Sequence, residues 1–229
     1  MLFFILPYTF HAKGELRKGP NIPEPMVFDL VLPLGSDRGK YELNTLFQYN
    51  EKNKTLETNP EFEYGYAKGH GIEFELPTEN SSIQAYKVSL QGTFNLFLTQ
   101  HFIHGWQYIY QYNKQSKAHE NSVLYIFGYQ FNEKLSTLNM GGFRITDISS
   151  NGAVEGLMNA NLFYGFSKKL LLGLEINWEV RTNLSDSILA MPQIHHLLAK
   201  HVELQFGMGM LNMNHHYSPH VVTRIVFDF

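Results

Sequence analysis

From Leu170 to Val180 the chain alternates without a break. Leu170, Leu172, Leu174, Ile176, Trp178 and Val180 fall on one side, and Leu171, Gly173, Glu175, Asn177 and Glu179 on the other. A period of two over this length is a β-strand with one apolar and one largely polar face. Strands in soluble proteins average about five or six residues, whereas a tilted membrane-crossing strand needs about nine to eleven. The motif recurs along the chain. Tyr41, Leu43, Phe47 and Tyr49 alternate with Glu42, Asn44 and Gln48; Phe62, Tyr64 and Tyr66 with Glu61, Glu63 and Gly65; Ile72, Phe74 and Leu76 with Glu73 and Glu75. Tyr86 to Leu96, Trp106 to Tyr112, Val123 to Phe131, Met158 to Tyr164, Val202 to Met210 and Val221 to Phe229 behave alike. Leu135 to Ile145 is weaker, and Ile188 to Leu198, interrupted by Pro192, is ambiguous. The pattern predicts about twelve strands.

The connections fall into two alternating classes. Short ones are 67–70, 98–100, 132–134, 167–169 and 199–200; longer polar ones are 50–60, 77–82, 113–121, 146–152, 181–186 and 212–219. Short turns at one rim and longer loops at the other predict an all-β, up-and-down antiparallel transmembrane barrel, with both termini on the periplasmic side of a bacterial outer membrane. The apolar face is expected to meet outer-membrane lipid. Aromatics gather near strand ends, where interfacial girdles sit, and the opposite face is too acidic to be a dry core.

Three regions follow: 1–12, 13–37 and a barrel over 38–229. Residues 1–12 read as the end of a secretory signal or as an apolar tail. Residues 13–37 read as a Pro/Gly-rich periplasmic segment, within which the apolar run Met26–Leu34 is a buried strand end or a piece folded into the barrel mouth. With 229 residues, net charge −3 and no basic run, nothing suggests a nucleic-acid surface. Cysteine is absent, so no thiolate chemistry is available.

The lumen face carries the candidate chemistry. Its acids are Glu42, Glu61, Glu63, Glu73, Glu75, Glu155, Glu175, Glu179, Glu203 and Asp228; its bases are Lys87, Arg144 and Arg224. In an open lumen such carboxylates attract cations; in a filled one they pair with the bases and with water. Inward Ile109, Leu124, Ile126, Leu157, Phe163 and Leu171 form an apolar stripe suited to a hydrophobic solute, or to packing against an inward-folded segment. The expected function is passive passage of small solutes, cations or small aromatic or hydrophobic molecules, with no catalytic residue, metal or cofactor. The alternative is a closed or plugged barrel with a structural or surface-interaction role. His215, His216 and His220 are expected in an outer loop. The pair His216/Ser218 has the spacing of a base and nucleophile on one strand face, the feature on which a lipid hydrolase would rest. Nothing in the sequence signals the oligomeric state.

The last strand, with Val221, Thr223, Ile225, Phe227 and Phe229 on one face, resembles the recognition signal that the barrel-assembly machinery reads in bacterial outer-membrane proteins. The segments Lys40–Asn44, Glu61–Gly65, Gly71–Pro77 and Leu172–Asn177 are similar to the outer-membrane channels of the phenol-degradation (MetA-type) family. That resemblance implies conduction of small, often aromatic, molecules and brings no catalytic residues.

Overall fold

A computed structural model describes residues 19–28, 30–50, 54–146, 152–181 and 186–229. Residues 1–12, and parts of the expected loops 50–60, 146–152 and 181–186, lie outside the described residues. The described chain contains no helix. Its strands are β1 (Tyr41–Asn50), β2 (Thr55–Ala67), β3 (His70–Glu75), the two-residue ribbon β4 (Thr78–Glu79) and β5 (Ser82–Ile83), and β6 (Ala85–Thr93). Then follow β7 (Phe102–Asn113), β8 (His119–Gln130), β9 (Leu135–Thr146), β10 (Val154–Gly165) and β11 (Leu170–Arg181). The last three are β12 (Ser187–Ala199), β13 (Val202–Met213) and β14 (His216–Asp228).

Leaving aside the ribbon, twelve strands pair antiparallel with their neighbours, and β1 closes the cylinder on β14 from Glu42↔Asp228 to Gln48↔Val222. Closure leaves no unpaired sheet edge, the condition for a strand structure in hydrocarbon. At the seam the Tyr41 and Phe229 rings stack with centroids 5.1 Å apart.

Alternation fixes the facing. Phe163 is fully buried while its neighbours Leu162 and Tyr164 are 48% and 43% exposed, so the large apolar side chains point away from the barrel. On β11 the outward set is Leu172, Leu174, Ile176, Trp178 and Val180, and Glu175 on the other face is fully buried. The ambiguous stretch around Pro192 is an ordinary strand, with Pro192 opposite Leu174 on β11 and unpaired toward β13. A proline lacks the N–H for one ladder bond, and here the sheet omits that bond.

Two connections differ from expectation. The expected outer loop 212–219 is a hairpin with a two-residue turn, Asn214–His215, both at positive φ (57° and 60°). The two flanking strands stay paired out to Met213↔His216, through a stretch in which hydropathy does not alternate. His216 and His220 therefore sit on a strand. Conversely, the turn between β6 and β7 spans residues 94–101, because Leu98 folds inward to 4% exposure. Loop length therefore separates the rims less cleanly than the sequence suggests.

Candidate functional site in the barrel interior

The interior is occupied. Residues 19–36 of the stretch expected on the periplasmic side rise into the barrel from the rim that carries the short turns, reverse near mid-height and return to that rim before β1. Met26, Leu30, Val31 and Leu32 are each at most 1% exposed. The stretch forms no strand, because its backbone is satisfied by side chains of the wall rather than by a ladder. At its apex the N–H groups of Met26, Val27 and Phe28 donate to the Glu175 carboxylate at 3.0, 3.1 and 2.8 Å. On the return limb Val31 N–H donates to Gln91 Oε1 at 3.2 Å, and Gln91 Nε2 donates to the Leu32 carbonyl at 2.5 Å. Gly35 N–H then donates to Thr93 Oγ1 at 2.9 Å. Buried backbone groups need such partners, and a buried carboxylate needs donors.

Apolar packing completes the fit. Ile22, Leu30 and Leu34 join Ile103, Ile126 and Phe163 in one cluster, while Met26 joins Leu46, Leu189, Met191 and Val222 in another. Half of the stripe predicted to suit a hydrophobic solute packs with the chain's own segment: Ile126 and Phe163 lie in the first cluster, with Leu171 against it, while Ile109 and Leu157 line a cavity. Gly71 matters here, since a Cβ at that position would meet Val31 Cγ1 at 3.0 Å and Leu32 Cδ1 at 3.3 Å.

The predicted lumen residues face inward and most are engaged. Arg224, 2% exposed, donates to Glu61 Oε2 at 2.6 Å and to Asn44 Oδ1 at 3.0 Å, with Glu63 Oε1 at 3.7 Å. Asn44 Nδ2 donates to Glu63 at 2.6 Å. Lys87 is paired with Glu75 and lies 4.0 Å from Glu73, to which Ser89 donates at 2.9 Å. Glu203 meets His195 at 3.3 Å, Glu42 lies 3.9 Å from Lys40, and Glu179 accepts from Arg181 at 2.6 Å. Sequence reasoning missed Gln91, Thr93 and Arg181 as functional residues. It also missed Glu24, since only the folded-in segment makes it an interior group.

Glu61, Glu63 and Glu73 come close enough for one oxygen of each to share a cation, but Arg224 already supplies positive charge there. His216 and Ser218 are both exposed on β14, and no hydrogen bond joins them among the described residues. No group positioned to orient that histidine is evident there.

Cavities remain on both sides of the inserted segment, among them one of about 560 Å³ at the turn rim beside Gly19, Leu34 and Lys68. The cavity at the loop rim measures about 370 Å³ and has Val27 and Phe28 as its floor. A second cavity at the turn rim, about 300 Å³, is lined by Glu24, Glu42, His195 and Glu203.

Burial away from water, and then the Glu42 carboxylate, push Glu24 up to about 8 from 4.5, against the opposing charges of Lys40 and Arg224. An acid whose affinity for its proton is raised by docking docks with proton uptake. Seating of residues 19–36 should therefore be firmest below pH 4.5 and weaken as pH climbs to about 8, with no further loss above. Current through the barrel measured at pH 5 and pH 9 should rise with pH, and Glu24→Gln should flatten the profile; an unchanged slope in that variant refutes the assignment.

A closed barrel of antiparallel strands with its apolar side chains outward is the architecture of a transmembrane β-barrel. The chain belongs to the HAEPLYID-like family, whose model matches residues 21–228. Among solved structures it is similar to the KdgM porin (TM-score 0.66, 10% identity, covering 83% of this chain and 99% of that one). It is also similar to the NanC porin (TM-score 0.65, 10% identity, 82% and 98% covered). An outer membrane channel from Pseudomonas putida F1 matches with TM-score 0.58 at 12% identity, covering 86% of this chain and 97% of that one. At these identities the likeness is one of fold. No curated protein matches the chain.

Proposed function

We propose that this protein is an outer-membrane channel for passive passage of small solutes, held closed by its own residues 19–36. The observation that carries this reading is the way the segment is held. Its backbone hangs on Glu175, Gln91 and Thr93 rather than on a strand ladder. Its two limbs leave by the same rim, so it can withdraw without breaking the barrel wall or threading past it. The fold shared with the KdgM and NanC porins and the Pseudomonas putida channel supports the same conclusion.

Once the segment is withdrawn, Glu42, Glu61, Glu63, Glu73, Glu75 and Glu203 would line the pore and favour cations. The inward apolar residues would then favour a small aromatic or hydrophobic solute, the class implied by the resemblance to MetA-type channels. The outer membrane is the site this reading requires, with Val221, Thr223, Ile225, Phe227 and Phe229 presented to the assembly machinery. Catalysis has no place in it.

The test is planar-bilayer conductance in a salt gradient, comparing the full chain with a form lacking residues 19–36. The deletion should turn a nearly silent barrel into a steady, cation-preferring conductor. Silence in both would favour the second reading, a permanently closed barrel with a structural or surface role, which the filled interior also fits.

A further inference from the structure

We infer that an arc of lysines on the turn rim, Lys134, Lys168, Lys169 and Lys200, binds the headgroups of anionic phospholipids in the leaflet beside it. Such binding needs the barrel to sit in a bilayer and is independent of conduction.

The arc follows from how the hairpins are joined. Strands β8 to β13 pair in sequence order, so their turns, 131–134, 166–169 and 200–201, are neighbours on the rim. The backbone ties them together: Gly165 N–H donates to the Lys134 carbonyl at 2.8 Å, and Leu197 N–H to the Lys169 carbonyl at 2.9 Å. With strands about 4.8 Å apart, successive turns stand about 10 Å from one another. Each turn brings at least one lysine to the surface, and all four are exposed. Just before them in the chain come Phe131, Phe166 and Leu198, each more than half exposed on the outer wall. An apolar side chain at the hydrocarbon edge, followed within two or three positions by an ammonium group, matches a lipid whose acyl chains end at a phosphate.

The lysines carry a surplus that the protein does not neutralise. Of the acids nearby, Glu133 is exposed in the same turn as Lys134, and Asp228 at the end of β14 is met by Lys40 at 3.7 Å. Lys134, Lys168, Lys169 and Lys200 themselves engage no carboxylate among the described residues. The loop rim differs: there, among the described residues, Lys54, Lys114 and Lys117 are matched in number by Glu57, Glu79 and Asp186. In a chain of net charge −3 the excess at the turn rim is therefore local. An anionic headgroup balances it, whereas a zwitterionic one brings its own ammonium. Each lysine beside an anionic surface contributes about fivefold in affinity.

The experiment reconstitutes the full chain in phosphatidylcholine vesicles and measures, by electron spin resonance, how strongly spin-labelled phosphatidylglycerol and phosphatidylcholine associate with it. Gel mobility before and after heating verifies that each variant is folded. Phosphatidylglycerol should associate at least about fivefold more strongly. The quadruple variant Lys134→Gln/Lys168→Gln/Lys169→Gln/Lys200→Gln should bring the ratio to about one. Lys54→Gln/Lys114→Gln/Lys117→Gln at the loop rim should leave it unchanged. Replacing chloride by inorganic phosphate at equal ionic strength should also leave it in place. Equal association of the two lipids with the native chain overturns the inference, as does a quadruple variant that keeps the preference or a loop-rim variant that loses it. Loss of the preference in phosphate alone would overturn it too, by making the arc a site for free anions. A barrel that shows the preference yet never conducts sinks the channel reading and spares the lipid site; one that conducts without the preference does the reverse.

Discussion

Replacing Glu175 by glutamine should raise the conducting fraction of the barrel about thirtyfold. Five donors converge on this one carboxylate: the N–H groups of Met26, Val27 and Phe28, and the amides of Asn159 and Asn177. Glutamine removes the charge and turns one acceptor oxygen into an NH₂ that faces donors. Hydrogen bonds to charged groups are worth about 1.5–3 kcal/mol, so a loss near 2 kcal/mol is a modest expectation. At about 1.4 kcal/mol per tenfold, that shifts the closed-to-open ratio about thirtyfold. Open probability in single-channel records measures it. Gel mobility should show that the barrel still folds, since Glu175 holds the segment and not the strand ladder. An equally silent, folded Glu175→Gln barrel would remove this carboxylate from the closing mechanism.

Arg224→Met has the larger consequence for stability. Arg224 lies in the buried wall between Glu61, Glu63 and Asn44, and also approaches the Pro25 carbonyl at 3.5 Å. Methionine fills much of the volume but leaves two buried carboxylates without their countercharge. Removing one partner of a buried ion pair costs about 3–5 kcal/mol. For a chain of this size that is a fall of about 10 °C in unfolding temperature. Glu61→Gln and Glu63→Gln added to Arg224→Met should restore most of it, because the fault is unpaired charge and not lost packing. Acidic buffer should partly restore the single variant too. If the triple variant were no more stable than Arg224→Met, the arginine would be acting mainly as a space-filler.

The barrel was legible because its determinants are local. Leu162 against Phe163, or Ile176 against Glu175, differ by one position and point to opposite faces, so period alone gives the strands. Outward polarity followed from acids that no dry core would accept. The state of the interior was not legible. An inward glutamate has the same sequence signature whether it meets water, an arginine or a backbone N–H, and the clamp joins positions 149 residues apart. Met26–Leu34 carries no period because most of its described residues are buried whichever way they point, and are held by wall residues. The β13–β14 hairpin was read as a loop because hydropathy does not alternate toward its tip, although its strands stay paired there.

The inserted segment also constrains the order of assembly. It precedes every strand described, so it emerges before them, yet its contacts run from β1 to β14. The Arg224 contact to Pro25 spans 199 residues and stands beside the seam that makes the cylinder whole. The segment therefore has no complete socket while the chain is being added strand by strand. It must wait outside or be enclosed as β14 meets β1. A molecule that takes the first route passes through a stage with wall but no stopper, and a mutation that slows seating without weakening the wall would then show itself as leakiness of growing cells, invisible in the finished protein.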